Sequence, residues 1–298
     1  MIQKNIYGIN HKMISIIIPT YNNLDYLKLC LKSLEKNSSF KHEIIIHIND
    51  GSDGTLNFVK TKNYKYTISA DNIGLCSSIN KAANLVSNRY ILYSHDDMYF
   101  CPNWDKVFHS ELSKLPENSD FFLSGTMVQP FKSYINLDCG NNIKDFNEEK
   151  LLKELPKIQF ENFQGTHWQP SLIPLKTWNK VEGFSEEFTP GLGSDPDFNM
   201  KLWKIGVRLF KGLGNCRVYH FSSLSLRKKA WNDGAKTFLM KWGISIKFFK
   251  KHYLKSDLPF KGELSTPTKS FTYYYDFLKC KISFLYLIIV NKFYNRAH

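Results

Sequence analysis

MISIIIPTYNNLDYLKLCLKSL, residues 13–34, is the stretch on which the fold turns. Its opening MISIIIP (13–19) is a near-continuous apolar run, the pattern of a strand covered on both faces; a half-buried strand would alternate. The polar TYNN follows, and then Leu24, Leu27, Leu31 and Leu34 recur at helical spacing. A doubly covered strand joined through a short polar loop to an amphipathic helix is how a βαβ unit begins.

The pattern repeats. EIIIHIN (43–49) reads as a second strand, closed by the turn DGSDG (50–54) and a helix from Thr55. YTIS (66–69) is a third, followed by a helix over 73–87 with Ile79, Ala82, Ala83 and Val86 facing inward. YILYS (90–94) and DFFLSGTMV (120–128) are the fourth and fifth. These runs predict an α/β fold: a doubly wound, mostly parallel sheet flanked by helices.

Residues 131–165 are polar and weakly patterned, as expected of an insertion or a mobile loop. Residues 183–210 give a Gly/Pro-rich loop, a helix starting near Asp195 and a short strand. From Trp231 the chain reads as a C-terminal extension of basic amphipathic helices, broken around SDLPFKGELSTPTKS (256–270). The expected division is 1–130, 131–230 and 231–298, with no internal repeat.

Charge is distributed unevenly. Residues 1–221 hold 25 Lys and Arg against 23 Asp and Glu, whereas residues 222–298 hold 15 against 4, which is eleven of the net +13. A near-neutral body with a basic tail points to an anionic surface met by the tail alone. The six cysteines form no CxxC pair, so neither a zinc site nor a dense disulfide framework is signalled, and reduced thiols in the cytoplasm are expected. The N-terminal MIQKNIYGINHKM lacks the apolar run of a signal peptide, and ISFLYLIIV (282–290) is too short to span a bilayer.

Ligands of open parallel sheets bind beyond the carboxyl ends of the strands. Three polar clusters fall at such ends: TYNN (20–23), NDGSDGT (49–55) and HDD (95–97). Adjacent acids such as Asp96 and Asp97 suit a hard divalent ion, Mg²⁺ or Mn²⁺, carrying a substrate's phosphates. They also suit an N-cap and a solvated turn, and DGSDG by itself is a turn signal.

Taken in order, SIIIPTYNNLDYLKLCLKSL, IIIHINDGSDGT, NIGLCSSINKAANLVSNRYILYSHDDMYFCPNW and GLGSDPDFNMKLW resemble the family 2 glycosyltransferases of the GT-A fold over residues 13–221. The resemblance implies an inverting transferase using a nucleotide-diphosphate sugar and a divalent metal, Mn²⁺ or Mg²⁺. It implies that Pro19, Thr20 and Tyr21 line the nucleotide pocket and that Asp50 meets the base. Asn72, Gly74 and Lys81 would belong to the helix start under the nucleotide, Asp96 would touch the ribose, and Asp97 with His220 would hold the metal. Asp195 would be the general base, with Asp197 as the alternative acid. A carboxylate before Pro196 also suits a helix N-cap, and a histidine after a strand also suits a structural role.

Two departures stand out. Ser194 occupies the place of the family's Glu in its Glu-Asp pair, and the NDGSD turn has one acid fewer and one residue fewer than the family's. In FQGTHWQP (163–170), Trp168 suits either a sugar platform or the core.

The implied partners are a nucleotide-sugar donor and a glycan or lipid-linked acceptor, as in cell-surface glycan synthesis. The basic tail adds peripheral contact with the cytoplasmic face of an anionic membrane, against a packing helix as the alternative. Two rival functions fit the sequence less well. A nucleotidyltransferase would open on a Gly-rich basic loop where PTYNN has neither Gly nor Arg, and a nucleic-acid binder, suggested by a pI near 9.3, would carry its charge on the body.

Overall fold

The structure, a computed structural model, describes residues 14–165, 169–221 and 232–294. Strand and helix alternate at first: β1 Ile14–Tyr21, α1 Leu24–Asn37, β2 Glu43–Asn49, α2 Thr55–Thr61, β3 Lys65–Ser69, α3 Leu75–Ala83 and β4 Tyr90–Tyr93. There follow β5 Met98–Phe100, α4 Trp104–Leu112, β6 Phe121–Gln129, β7 Ile135–Asn136, α5 Glu148–Glu154, β8 Phe163–Gln164 and β9 Ser171–Pro174. Next come α6 Leu175–Lys180, α7 Ser194–Lys204 and β10 Leu209–His220. The chain then turns helical, with α8 Gly234–Trp242, α9 Ile246–Phe248 running into a π-helical turn Phe249–Leu254, and α10 Phe271–Tyr294.

One sheet carries all of these strands, in the order β3-β2-β1-β4-β9-β6-β10-β5, with β7 beside β6 and β8 beside β10. Its ladders run parallel from β3 through β4 and between β6 and β10, while β9 and β5 oppose their neighbours. The side-chain period of two sorts the apolar run of β1 between two layers. Ile17, with Ile45 and Ile91, packs under Cys76 and Ile79 of α3. Ile16 and Ile18, with Ile46, Ile48 and Leu92, pack under Leu27, Leu31 and Leu34 of α1.

From β1 the chain builds outward to β2 and β3, then crosses back to lay β4 on the other side of β1. This is a topological switch point, where two neighbouring loops diverge and leave a crevice. The mostly parallel, doubly covered sheet matches the expectation from sequence.

Several particulars differ. The third helix is shorter than 73–87, and β10 is a twelve-residue strand rather than a short one, with a bulge between Gly212 and Arg217. Residues 131–165 are a packed element. Ile135, Cys139, Leu151 and Leu155 bury against Tyr99, Tyr219 and Phe221, and the buried Arg217 guanidinium donates to the carbonyls of Leu155 and Ile158 at 2.6 and 2.7 Å. Their apolar residues are sparse in sequence, so only tertiary contact shows them to be core.

The segment from 232 onward is likewise no appendage. Phe238, Phe248, Phe249, Leu254, Leu264 and Cys280 belong to the same cluster as Ile17 and Phe198. Gln164 grips residues 257–262 through its amide and backbone. Along α10, Tyr273, Phe277, Phe284 and Leu287 pack inward, while Phe271, Tyr274, Leu278, Ile282, Leu285 and Ile289 stand exposed. No helix among the described residues is long and apolar enough to cross a membrane.

Candidate active site

The crevice at the switch point is floored by charge. Beyond β4 the backbone turns through Ser94, His95, Asp96 and Asp97, and Ser94 N–H still donates to Ile17 at 3.0 Å. Thr20, near the carboxyl end of β1, donates its hydroxyl to Asp96 Oδ2 at 2.7 Å. Asp96 and Asp97 are each only 6% exposed. Burial disfavours the charged form of Asp96 and the adjacent Asp97 repels it further, so its pKa rises above the ordinary carboxylate value despite the Thr20 bond. A buried carboxylate pair is costly unless it is paired, hydrogen-bonded or protonated.

His220 reaches this pair through the sheet. β5 runs antiparallel to β10 with Met98 opposite His220, and Phe221 N–H donates to the Asp97 carbonyl at 3.1 Å. His220 Nε2 consequently lies 3.3 Å from Asp97 Oδ1, and its Nδ1 lies 2.7 Å from the amide of Gln129 at the end of β6. Burial would lower the His220 pKa, but Asp97 outweighs it and the pKa is raised.

His95, passed over in the sequence, is the third group here: ligand atoms of His95, Asp97 and His220 all lie within 4.8 Å of one another. Burial, opposed by Asp97 and reinforced by His220, lowers its pKa to about 4, which leaves a neutral imidazole at pH 7. The only sequence signal was an imidazole directly before the acid pair.

The turn after β2 is braced to the loop after β1. Asn22 donates to Asp50 Oδ2 at 2.7 Å and accepts from Gly51 N–H at 3.1 Å. Asp50 holds a left-handed φ of 63°, which an Asp tolerates better than most residues. Pro19 is buried in β1 and Tyr21 is half-buried at its end, next to this turn. Asn72 accepts from Gly74 N–H at 2.9 Å, and Gly74, at φ 82°, caps α3. A Cβ at Gly74 would stand 2.6 Å from a Thr189 methyl, so glycine is required for close packing as well as for φ. Lys81 lies further along α3 than the other residues of this motif. It is exposed in the last turn of α3, roughly 9 Å along the helix from Leu75.

The two acids of α7 separate cleanly. Asp197 is fully buried and saturated: Ser185 donates at 2.7 Å, Trp242 Nε1 at 2.8 Å, and Lys241 Nζ lies at 3.0 Å. Asp195 keeps part of its surface open and accepts from Gln169 Nε2 at 2.5 Å. Burial of the carboxyl pushes its pKa up to about 7, with the Gln169 bond opposing. Asp195 is not the helix cap. Gly193 at φ 84° takes that place, and Ser194, the residue in the family's Glu position, spends its hydroxyl on the Gly191 carbonyl at 2.7 Å.

Tyr93 ties the two sides together. Burial, then the charges of Asp195, Cys76, Asp97 and Asp96, raise its pKa well above the ordinary value, so one phenol lies within electrostatic reach of all three acids. Trp168 lies outside the described residues.

Residues 15–136 match the model of the glycosyl transferase family 2. The chain carries a family 2 glycosyltransferase domain of the GT-A fold. The hyaluronan synthase of Pasteurella multocida is 28% identical over 224 residues, covering 72% of this chain and 21% of the synthase. An uncharacterized glycosyltransferase of Rickettsia conorii is 34% identical over 215 residues, covering 67% of this chain and 32% of that protein. The chain thus spans about a fifth to a third of these relatives' length. Among solved structures, S. aureus TarS 1-349 in complex with UDP-GlcNAc superimposes with a TM-score of 0.57 at 16% identity, covering 92% of this chain and 71% of TarS. The glycosyltransferase domain shares its fold with TarS. The matched segment contains Thr20, Asp50, Asp96 and Asp97, whereas Asp195 and His220 lie beyond it.

Proposed function

We propose that this family 2 glycosyltransferase moves a sugar from a uridine-diphosphate sugar to an acceptor hydroxyl with inversion. The observation that carries the reading is Asp195, a part-exposed carboxyl with its pKa at about 7, sharing the electrostatic neighbourhood of Tyr93 with the buried Asp96 and Asp97. A base so poised is half unprotonated near neutrality and still strong enough to take a hydroxyl proton. Gln169 fixes its orientation, and Asp197, committed to three partners, maintains the helix that presents it.

In this reading Asp195 removes the acceptor proton as the oxygen attacks the anomeric carbon on the face opposite the diphosphate. Asp50, Thr20 and Tyr21 bound the nucleoside, and Asp96 meets the ribose. Asp97 and His220 fit a divalent cation, Mn²⁺ or Mg²⁺, through the clustering of their ligand atoms. When bound there, such an ion supplies Lewis-acid neutralisation of the departing diphosphate. The TarS complex with UDP-GlcNAc supports a uridine nucleotide, and the hyaluronan synthase relative supports a glycan acceptor.

Peripheral attachment to the cytoplasmic face of an anionic membrane is part of the proposal. Its support is α10, whose exposed apolar stripe is embedded in a segment with 15 basic against 4 acidic residues. That excess would repel a second copy and attract acidic lipid. The function is tested by incubating the protein with UDP-sugars and glycan acceptors and following the anomeric proton of the product by NMR. Inverted product supports the reading; binding of UDP-sugars without transfer to any hydroxyl acceptor, water included, removes it.

A further inference from the structure

The donor-site reading assigns the ion to Asp97 and His220, and the structure brings a third side chain to the same point. We propose that His95 is a protein ligand of that ion, so that the site is a set of two imidazoles and one carboxylate selecting borderline divalent ions over Mg²⁺. The inference rests on the donor-site reading above.

Three observations support it. The first is position: the ligand atoms of His95, Asp97 and His220 lie within 4.8 Å of one another, and the two imidazole centroids are 5.9 Å apart. Donors that share one ion at about 2.1 Å stand about 3 to 4.2 Å apart, so a small side-chain rotation closes the set.

The second is that both imidazoles are held from behind by neutral polar groups. The Tyr93 hydroxyl lies 2.6 Å from His95 Nε2, and the Gln129 amide lies 2.7 Å from His220 Nδ1. Metal-ligating histidines almost always hydrogen-bond through their other ring nitrogen, most often to a carboxylate, a backbone carbonyl or water, which fixes tautomer and ring orientation; here a phenol and a carboxamide stand in that place. With its Nε2–H donated to the Tyr93 oxygen, His95 presents the Nδ1 lone pair. With the Gln129 amide turned to offer its oxygen to Nδ1–H, His220 presents Nε2 toward Asp97, the atom that already faces it at 3.3 Å.

The third is chemical. Carboxylates and waters alone suit Mg²⁺, whereas imidazole nitrogen favours Mn²⁺ less than Co²⁺ or Zn²⁺ but all of these over Mg²⁺. A histidine directly before the acid pair therefore changes which ion the crevice selects while leaving Asp96 free for the ribose.

The test uses the full chain with Mn²⁺ or Co²⁺, in the presence and absence of UDP. Pulsed EPR of bound Mn²⁺ should show two imidazole nitrogen couplings, and titration should give Mn²⁺ and Co²⁺ at least tenfold tighter binding than Mg²⁺. His95→Ala should leave one nitrogen coupling and weaken Co²⁺ by about tenfold or more, with metal-free UDP binding unchanged. His95→Asp should restore affinity while moving preference toward Mg²⁺. A single nitrogen coupling in the wild-type protein, which needs no variant to fold, overturns the proposal, as does a His95→Ala protein with unchanged Co²⁺ affinity. Absence of Mn²⁺ binding alongside intact sugar transfer also overturns it and leaves the transferase reading standing; absence of UDP-sugar binding is the separate failure that removes that reading.

Discussion

At the carboxyl ends of β1 and β4 the molecule buries charge, and along α10 it leaves apolar side chains in water. Asp96 and Asp97 are 6% exposed, whereas Leu278 and Leu285 are each 57% exposed. Folding stability alone would reverse both: a buried carboxylate pair is costly, and each large aliphatic left in water forgoes roughly 1.5 to 3 kcal/mol of burial. The difference lies in what completes each region. In the proposed reading the crevice is completed by a small cation and a diphosphate, and the helix by a membrane surface. The rest of the chain obeys the ordinary rule, with apolar layers on both faces of the sheet.

The largest effect expected on this contrast is at Asp195. Asp195→Asn should lower turnover by about 10² to 10⁴ while UDP-sugar affinity, measured by calorimetry, stays within a few-fold. If transfer persists, the base lies elsewhere in the crevice. The pH profile sharpens the same point. Only unprotonated Asp195 accepts the proton, and its pKa is about 7, so kcat/KM should fall about tenfold per unit as pH drops below 7. Gln169 donates to the charged form and so lowers that pKa; Gln169→Ala should move the acid limb to higher pH. A limb that stays in place would mean that Asp195 does not control it.

The other side of the comparison is broken on α10. Removing the helix would also strip Phe277, Cys280 and Phe284 from the core, so truncation confuses docking with folding. Substituting the exposed Leu278, Ile282 and Leu285 together by Ser spares those contacts. Co-sedimentation with phosphatidylserine vesicles at low salt should then fall about tenfold or more, since each aliphatic fully buried contributes roughly 1.5 to 3 kcal/mol. Nucleotide binding should be unchanged. Equal sedimentation of both proteins, or none by the wild type, removes the membrane role.

The smallest effect on catalysis is expected at Asp197. Asp197→Asn disturbs bonds from Ser185, Trp242 and Lys241, so denaturant unfolding should show a loss of about 1 to 3 kcal/mol. Turnover below its melting transition should stay within a few-fold of wild type. A collapse of turnover without loss of stability would exchange the roles of the two acids.

The sequence by itself determined the first layer of this protein. The strands around Ile16, Ile46 and Leu92, and the helix of Leu27, Leu31 and Leu34, follow from periodicity and turn chemistry, which act over a few residues. The polar strand ends followed with them, because a parallel sheet must bring its carboxyl ends to one edge. Only the tertiary structure decided the rest. The family resemblance ranks Asp195 before Asp197 as the base, but their different surroundings are tertiary: Lys241 and Trp242 arrive from a later helix to pair with only Asp197 of the two. His95 and His220 are joined through β5 pairing with β10, a contact no local pattern encodes. For the tail the sequence left membrane docking and packing both open, and the apolar face of α8 and α9 that joins it to the body shows only once that body exists. Short-range rules fix what each segment becomes; sheet order and desolvation fix which side chains meet, and with what proton affinity.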